Sequence, residues 1–127
     1  MHGREILHRD IKLSNILLKK QGDFQTSVLS DFGLAIDLAK ERPDGQRVGT
    51  QVYWSPELKL GGSSKQSDIW ACGIAYYRML TGRYPTKGNR SSVDYSTIPF
   101  DVAYVIKECL RLYPNDRPSA VHLLQTL

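Results

Sequence analysis

The longest hydrophobic pattern in the sequence is helical and lies near the middle of the chain. Between positions 69 and 80, apolar residues cover nearly every face of a helix, at Ile69, Trp70, Ala71, Cys72, Ile74, Ala75, Tyr76, Tyr77, Met79 and Leu80. A helix that is apolar on all sides is normally buried on all sides. We therefore predict a central, enclosed helix with Trp70 and Met79 in the core.

Capping signals indicate where this helix begins and ends. Ser64 is a suitable N-cap, and Gly82 stands where a helix that runs to Leu80 or Thr81 would stop. Two further helices are predicted at 100–112 and 120–127. The segment Tyr-Pro-Asn-Asp-Arg-Pro at 113–118 separates them, because its prolines and its Asn-Asp pair are typical of a break.

A β-hairpin is predicted nearer the N-terminus. The apolar run at 15–18 ends in the turn signal Lys-Lys-Gln-Gly-Asp, and positions 26–29 alternate back toward Asp31. The sequence thus predicts an α+β fold that is mainly helical and has one short hairpin, which delivers Asp31-Phe32-Gly33 to the region of Asp10.

Composition excludes several classes of function. The 127 residues are 24% charged and 41% hydrophobic with a net charge of +4, which fits one soluble domain at most. No run of Lys and Arg is long enough to indicate a nucleic-acid partner. The longest apolar run, at 69–77, is too short to cross a bilayer, so no membrane partner is expected.

The two cysteines, Cys72 and Cys109, lie in apolar helical stretches without metal-ligand spacing, which favours free, buried thiols in a reducing compartment. Nothing at the N-terminus resembles a signal peptide. We therefore expect a cytoplasmic or nuclear protein.

Short polar motifs stand in a particular order. The first motifs along the chain are His8-Arg9-Asp10, Asn15 and Asp31-Phe32-Gly33. They are followed by Gly49-Thr50 leading to Tyr53-Trp54-Ser55-Pro56-Glu57, by Asp68-Ile69-Trp70 with Gly73, and by Arg117-Pro118-Ser119. Each short motif alone is a weak signal. Their order over nearly the whole chain resembles the protein kinase family, and HRDIKLSNILL at 8–18 resembles its catalytic loop. Lys12, two residues after Asp10, resembles the lysine that the serine/threonine branch of the family has at this position.

The resemblance implies a phosphoryl-transfer site that uses ATP and Mg²⁺. Asp10 would accept the proton of the attacking hydroxyl, and Lys12 would stabilise charge on the γ-phosphate. Asn15 and Asp31 would bind the metal through oxygen atoms. Thr50 would hydrogen-bond both Asp10 and Lys12, although Lys12 could instead be a solvated surface lysine.

Other residues would support this site. His8 resembles a structural histidine that packs below Phe32, and Gly33 would allow the turn after the metal ligand. Leu17 would form the floor beneath the adenine ring, with a plain core role left equally open.

Three charged residues would hold the catalytic loop and its neighbours together. Asp68 would brace the backbone of the catalytic loop; the alternative is an exposed first-turn acid favoured by the helix dipole. Glu57 and Arg117 would form a buried ion pair, whose disruption leaves an uncompensated charge.

The resemblance also shows departures. There is no Gly-rich loop, strand lysine or partnering helix glutamate, so residues 1–127 would be a partial kinase domain, the C-terminal lobe without its ATP-clamping N-terminal lobe. The expected partners are that missing lobe and a protein substrate. Without the lobe, hydrophobic surface should be exposed, and the chain alone should be inactive. The helix usually found within 82–99 would be abbreviated or lost.

Two alternatives remain open at this point. The chain could be a non-catalytic scaffold derived from a kinase, or an incomplete piece of a longer gene product. The intact motifs favour catalysis, because a scaffold would tolerate their loss.

The basic residue Arg9 lacks its usual regulatory partner. Positions 34–48 contain no Ser, Thr or Tyr, so activation by phosphorylation there is not expected. Asp37, Glu41 or Asp44 could supply a carboxylate to Arg9 instead, or Arg9 could pair with none of them. Arg78, if it faces the substrate groove, would disfavour a basic peptide.

Overall fold

The computed structural model describes residues 1–43, 45, 47–85 and 93–126. Within these ranges, the α-helices are α1 (Lys65–Thr81), α2 (Phe100–Cys109) and α3 (Ala120–Thr126), and the strands are β1 (Ile6–Leu7), β2 (Ile16–Leu18), β3 (Ser27–Leu29) and β4 (Ile36–Asp37). Short antiparallel sheets beside three helices are compatible with the predicted α+β class. In this described part of the chain, no helix is long and apolar enough to cross a membrane.

The central helix α1 has the ends that the sequence predicts. The Ser64 hydroxyl accepts a hydrogen bond from the Ser67 amide at 3.3 Å, and the Ser67 hydroxyl accepts one from the Ser64 amide at 2.8 Å. This reciprocal capping box satisfies two amides that a helix N-terminus leaves without partners. Gly82, with a φ of 71°, ends the helix in the left-handed conformation that glycine adopts without strain.

Burial along α1 agrees with the prediction only in part. Trp70 is 6% exposed and lies in the core, as predicted. Met79 is 48% exposed, so its predicted core position is wrong. Leu80, next to Met79 in the last turn of α1, is also 44% exposed, and the side of the helix that carries Met79 borders an open groove.

This apolar groove has a volume of about 440 Å³ and lies between α1, α2, α3 and the hairpin. Most of its lining is apolar: Leu13, Ile16, Leu18, Cys72, Ala75, Tyr76, Met79, Val105, Cys109 and Leu123. The hydrophobic surface expected from the sequence is therefore present in the described structure. Large apolar patches on soluble proteins commonly mark a place where something else packs.

Helices α1 and α2 pack closely because Gly73 has no side chain. A Cβ at this position would lie 2.8 Å from the Cys109 Cβ and 3.0 Å from the Leu110 Cδ2. Cys109 is 3% exposed and Cys72 is partly exposed, and both are free thiols. The predicted burial therefore applies fully only to Cys109.

Helix α2 ends three residues earlier than the predicted 100–112. Beyond this end, Arg117 donates hydrogen bonds to the carbonyls of Arg111 at 2.8 Å and Leu112 at 3.2 Å. A helix that ended at residue 112 would leave these two carbonyls without intrahelical partners, and the guanidinium satisfies them instead. Helix α3 begins at Ala120 as predicted, and Leu127 lies outside the described residues.

The predicted hairpin is confirmed. Strand β2 pairs antiparallel with β3, with Leu17 opposite Val28. A second ribbon, not predicted, pairs β1 with β4 and places Ile6 opposite Asp37. It joins the segment before the catalytic loop to the segment after Asp31. In the described parts of the stretch 82–99, which are 82–85 and 93–99, there is no helix beyond the end of α1.

Candidate active site

Asp68 holds the backbone of the catalytic loop from below. Its carboxylate is 3% exposed and accepts hydrogen bonds from the amides of His8 at 2.8 Å and Arg9 at 3.0 Å. The alternative of an exposed first-turn acid is wrong, because this side chain is buried. The ring of His2 lies 2.9 Å from the same carboxylate, a contact that sequence reasoning missed.

His8 is fully buried and uses both ring nitrogens. Nε2 lies 2.8 Å from the Ser30 carbonyl, to which it donates, and Nδ1 accepts from the Asp10 amide at 3.1 Å. The ring also meets Phe32 edge to face, with centroids 4.9 Å apart. With both nitrogens engaged, the imidazole positions the backbone on either side of the site.

Asp10, Lys12 and Thr50 form one hydrogen-bonded cluster. The Thr50 hydroxyl donates to Asp10 Oδ1 at 3.0 Å, and Lys12 Nζ donates to that hydroxyl at 2.9 Å. Lys12 Nζ also lies 3.7 Å from Asp10 Oδ2. Lys12 is therefore not a solvated surface lysine. The Asp10 side chain is 12% exposed, so most of its carboxylate is covered by neighbouring residues.

Asn15 lies directly beside this cluster. It is 7% exposed, and its Nδ2 donates to the Asp10 carbonyl at 2.9 Å and approaches Asp10 Oδ2 at 3.4 Å. These bonds orient the amide, and no hydrogen bond to its Oδ1 occurs among the described residues. The Ser30 amide donates to the Asn15 carbonyl at 2.8 Å, which places the residue before Asp31 against the same loop.

Asp31 is exposed, and its Oδ1 accepts from the Gly33 amide at 3.3 Å. Within the described part of the chain, its other carboxylate oxygen has no hydrogen-bond partner. Amide and carboxylate oxygens are the donors that Mg²⁺ prefers, and Mg²⁺ usually takes only one or two protein ligands beside water and substrate phosphates. Asn15 and Asp31 fit that ligand set. No cluster of three or more His, Cys, Asp or Glu suited to a metal occurs among the described residues.

Gly33 lies in the turn that follows Asp31, while the left-handed backbone in this region is at Asp31 and Arg9. Their φ angles are 57° and 69°. Such conformations cost about 1–3 kcal/mol each and cluster at functional sites. The Arg9 side chain donates from Nε to the Leu34 carbonyl at 2.6 Å, which ties the two strained segments together.

The three carboxylates that could pair with Arg9 differ in position. Asp37 accepts from the Ala39 amide at 3.0 Å and lies 4.0 Å from Lys40 Nζ. Glu41 is exposed. Asp44 lies outside the described residues.

Gly49 is a site residue that sequence reasoning did not single out. Its φ is 96°, and a Cβ here would collide with the Arg9 carbonyl oxygen and lie 3.5 Å from Asp10 Oδ1. The segment that carries Thr50 therefore reaches Asp10 only because residue 49 has no side chain. The motif order, which includes Gly49-Thr50, was the only sequence signal for it.

Leu17 is 50% exposed, and its cross-strand partner Val28 is 37% exposed. The plain core role for Leu17 is therefore wrong. The role of Leu17 as the floor beneath an adenine ring stays a prediction.

Glu57 and Arg117 meet in two parallel hydrogen bonds of 2.7 and 2.8 Å. The Arg117 side chain is 0% exposed, and its guanidinium lies 4.9 Å from the centre of the Trp70 ring. Burial acts to raise the pKa of Glu57, but its hydrogen bonds, chiefly those from Arg117, outweigh this and hold the pKa below its ordinary value. Two such bonds make the strongest geometry available to this pair.

Comparisons with known proteins agree with the motif order. The family model of the protein kinase domain matches residues 1–127. The serine/threonine-protein kinase PkaA of Streptomyces coelicolor is 35% identical over 99% of this chain, and the serine/threonine-protein kinase PknD of Chlamydia pneumoniae is 35% identical over 95%. The Arabidopsis thaliana serine/threonine-protein kinase AtPK1/AtPK6 is 35% identical over 77%.

The chain spans only a minor part of these relatives. It covers 26% of PkaA, 21% of AtPK1/AtPK6 and 16% of PknD. Each of these relatives is therefore a much longer polypeptide than the part that matches this chain.

Proposed function

Because this chain belongs to the protein kinase family, we propose that it carries the catalytic and metal-binding half of a site that transfers the γ-phosphate of ATP to a serine or threonine hydroxyl of a protein. The single observation that carries this proposal is the cluster of Asp10, Lys12, Thr50 and Asn15. Its members come from two distant segments of the chain and are joined by hydrogen bonds of 2.9 to 3.4 Å.

Asp10 is the proposed proton acceptor. Thr50 donates to one of its oxygens and thereby fixes the orientation of the carboxylate. A substrate hydroxyl within about 2.6–3.2 Å of the other oxygen could pass its proton to it during attack on the γ-phosphorus. Asp10 acts here as a positioned base, and the bond that breaks is the one between the γ-phosphorus and the oxygen of the leaving ADP.

Lys12 has two proposed roles. It donates to Thr50, which orients Asp10, and its charge lies 3.7 Å from that carboxylate. A lysine so placed offers positive charge where negative charge builds up on the transferring phosphoryl group. Because Lys12 is held by Thr50 before substrate binds, little reorganisation is required.

Asn15 and Asp31 are the proposed ligands of Mg²⁺. When bound, the metal neutralises charge on the ATP phosphates. The chain holds Asn15 beside Asp10 and holds Ser30, the residue before Asp31, against the same loop. Asn15 is fixed by its bonds to Asp10, while the exposed Asp31 is held by the turn that begins the next segment.

We also propose that residues 1–127 form the C-terminal lobe of the kinase domain. The motif order supports this assignment, and so does the exposed face formed by Leu17 and Val28. Alone, the chain would bind ATP weakly and transfer phosphate negligibly, since the residues that clamp the nucleotide are not in this sequence. We expect the protein in the cytoplasm or nucleus, where its two free cysteines would remain reduced.

The test is transfer of radiolabelled γ-phosphate to peptides that differ only in Ser, Thr or Tyr at the acceptor position. It is run with the 127-residue chain and with the longest natural polypeptide that contains it. We expect transfer to Ser and Thr by the longer polypeptide, loss of that transfer in Asp10→Asn, and negligible transfer by the chain alone.

Two outcomes would contradict the proposal. Steady turnover by the chain alone would refute the need for a separate nucleotide lobe. A longer polypeptide that carries a nucleotide lobe but neither binds Mg·ATP nor transfers phosphate would favour the alternative, a kinase-derived binding module.

A further inference from the structure

Arg78 lies on the last turn of α1 and presents its guanidinium beside an exposed aromatic ring. The guanidinium carbon is 4.5 Å from the centre of the Tyr84 ring, and Tyr84 is 43% exposed. One of its terminal nitrogens donates to the Gly82 carbonyl. A guanidinium has five N–H donors, so this contact leaves most of them for another acceptor.

Aromatic contacts connect this arginine to the candidate active site. The Tyr84 ring meets the Tyr53 ring edge to face at 5.8 Å. The Tyr53 hydroxyl accepts from the amide of Leu13, the residue after Lys12, at 3.4 Å. Tyr53 also ends the short 3₁₀ helix that Thr50 precedes.

The charge of Arg78 also acts on Tyr53. Burial raises the pKa of Tyr53, and the positive charge of Arg78 acts against that rise. The field of Arg78 thus reaches a hydroxyl that touches the catalytic loop. The contacts that run from Arg78 through Tyr84 and Tyr53 end at Leu13, which is three residues from Asp10.

No carboxylate offsets this charge locally. Among the described residues, no Asp or Glu lies within 4.0 Å of Arg78, while the neighbouring Arg83 is 3.9 Å from Asp94. A guanidinium that is stacked on an aromatic ring is partly desolvated and presents a planar set of donors, which matches the two oxygens of a carboxylate. The same charge repels lysine and arginine.

From this arrangement we propose that Arg78 and Tyr84 form a subsite for an acidic side chain, Asp or Glu, of the protein substrate, located within a few residues of the accepting serine or threonine. The inference rests on the proposed function, because it assumes that a peptide lies across Asp10 and Thr50. It adds a substrate class, namely acidic sequences, to the proposed reaction.

The test measures peptide binding to the 127-residue chain without ATP. Serine peptides carry Glu, Gln or Lys in turn at each position within four residues of the serine, and the side-chain Nε–H resonances of Arg78 and Arg111 are followed by NMR. Arg111 is the internal control, since it is exposed but already paired with Glu108 at 2.8 Å. We expect a Glu peptide to move the Arg78 signal selectively and to bind about fivefold tighter than its Gln counterpart at one position.

Variants make the test independent of this one signal. Arg78→Gln should reduce the preference for Glu over Gln to less than about twofold, and Arg78→Glu should turn it into a preference for Lys. Arg111→Gln should leave it unchanged. Should the Arg78 variants fail to fold because the contact with Gly82 is lost, the resonance measurement on the unmodified chain still decides.

Equal binding of Glu and Gln peptides at every position, or the absence of any selective movement of the Arg78 signal, overturns the subsite. Because ATP is not involved, that result leaves the proposed phosphoryl transfer standing. Conversely, selective binding of Glu peptides together with failure of the transfer assay would support an acidic-peptide binding module and contradict the enzyme.

Discussion

Replacing Asp68 with alanine should be among the most destabilising single changes in this chain. The carboxylate is 3% exposed and accepts from two backbone amides, those of His8 and Arg9, at 2.8 and 3.0 Å. A hydrogen bond to a charged group contributes about 1.5–3 kcal/mol, and an unsatisfied buried donor costs a comparable amount. We therefore expect Asp68→Ala to lower the free energy of unfolding by about 3–5 kcal/mol.

Urea unfolding at pH 7, followed by far-UV circular dichroism, measures this loss. Asp68→Asn keeps one acceptor oxygen and should lose about half as much. This intermediate variant matters because small domains are stable by only about 5–15 kcal/mol in total, so Asp68→Ala could be unfolded before urea is added.

Two controls separate the brace from weaker effects. Asp101 is an exposed acid in the first turn of α2, so Asp101→Ala measures the helix-dipole effect alone, about 0.3–1 kcal/mol. Asp10→Asn removes the charge of the proposed proton acceptor but keeps the shape of the side chain, and should cost about 1 kcal/mol or less. A value for Asp68→Ala equal to that of Asp101→Ala, or a larger loss in Asp10→Asn, would show that Asp68 does not brace the loop.

Three further predictions concern the ion pair, the close backbone contact and the thiols. The pKa of Glu57 is held below its ordinary value of 4.5. The stabilisation by its pair with Arg117 should therefore be complete above about pH 5 and lost as the pH falls through the pKa of the folded state. Urea midpoints measured between about pH 3 and 7 should show this acid-dependent loss in the unmodified chain but not in Glu57→Gln. Gly49→Ala should destabilise the chain by about 1–3 kcal/mol and shift the amide signals of Arg9 and Asp10, since the new Cβ meets the Arg9 carbonyl. Gly22→Ala, with a φ of 79° but nothing within 4 Å, is its control, and equal effects of the two would contradict the contact. Burial raises the pKa of Cys109 to about 11, and desolvation together with the charge of Asp68 raises the pKa of the partly exposed Cys72 to about 12. Both thiols should therefore stay protonated and react slowly with iodoacetamide in the folded chain at about pH 8, whereas both should react in urea; rapid labelling of the folded chain would show that their pKa values are not raised.

Local features of the fold were predictable from the sequence. The ends of α1 depend on Ser64 and Gly82, whose effects act within one helical turn, so the predicted and observed bounds agree. The hairpin of β2 and β3 likewise depends on neighbouring residues. The early end of α2 was not predicted, and the carbonyls of Arg111 and Leu112 that follow it bind Arg117 from beyond the break.

The candidate site shows the same division. Asp10, Lys12 and Asn15 lie in one loop, and their proximity follows from sequence spacing. Thr50 joins them from a distant segment, and only the family resemblance indicated that contact. Gly49 and His2 were missed, because their importance comes from the Arg9 carbonyl and the Asp68 carboxylate, which folding alone brings close.

The exposure of Met79 has a related cause. Its helical pattern indicates burial, and the pattern is the same whether or not a neighbouring element is present to cover it. In the described structure that face borders the apolar groove, so the periodicity of the sequence overestimates how enclosed α1 is.

Paramagnetic broadening shows whether Asn15 and Asp31 bind the metal of the proposed phosphoryl-transfer site. A trace of Mn²⁺ with ATP is added to the ¹⁵N-labelled chain, and this measurement detects even weak binding. We expect selective broadening of the signals of Asn15, Asp31 and their neighbours, and its loss in Asp31→Asn combined with Asn15→Leu. Broadening that leaves residues 10–15 and 30–33 unaffected, or that persists in the double variant, would contradict metal binding by these two residues.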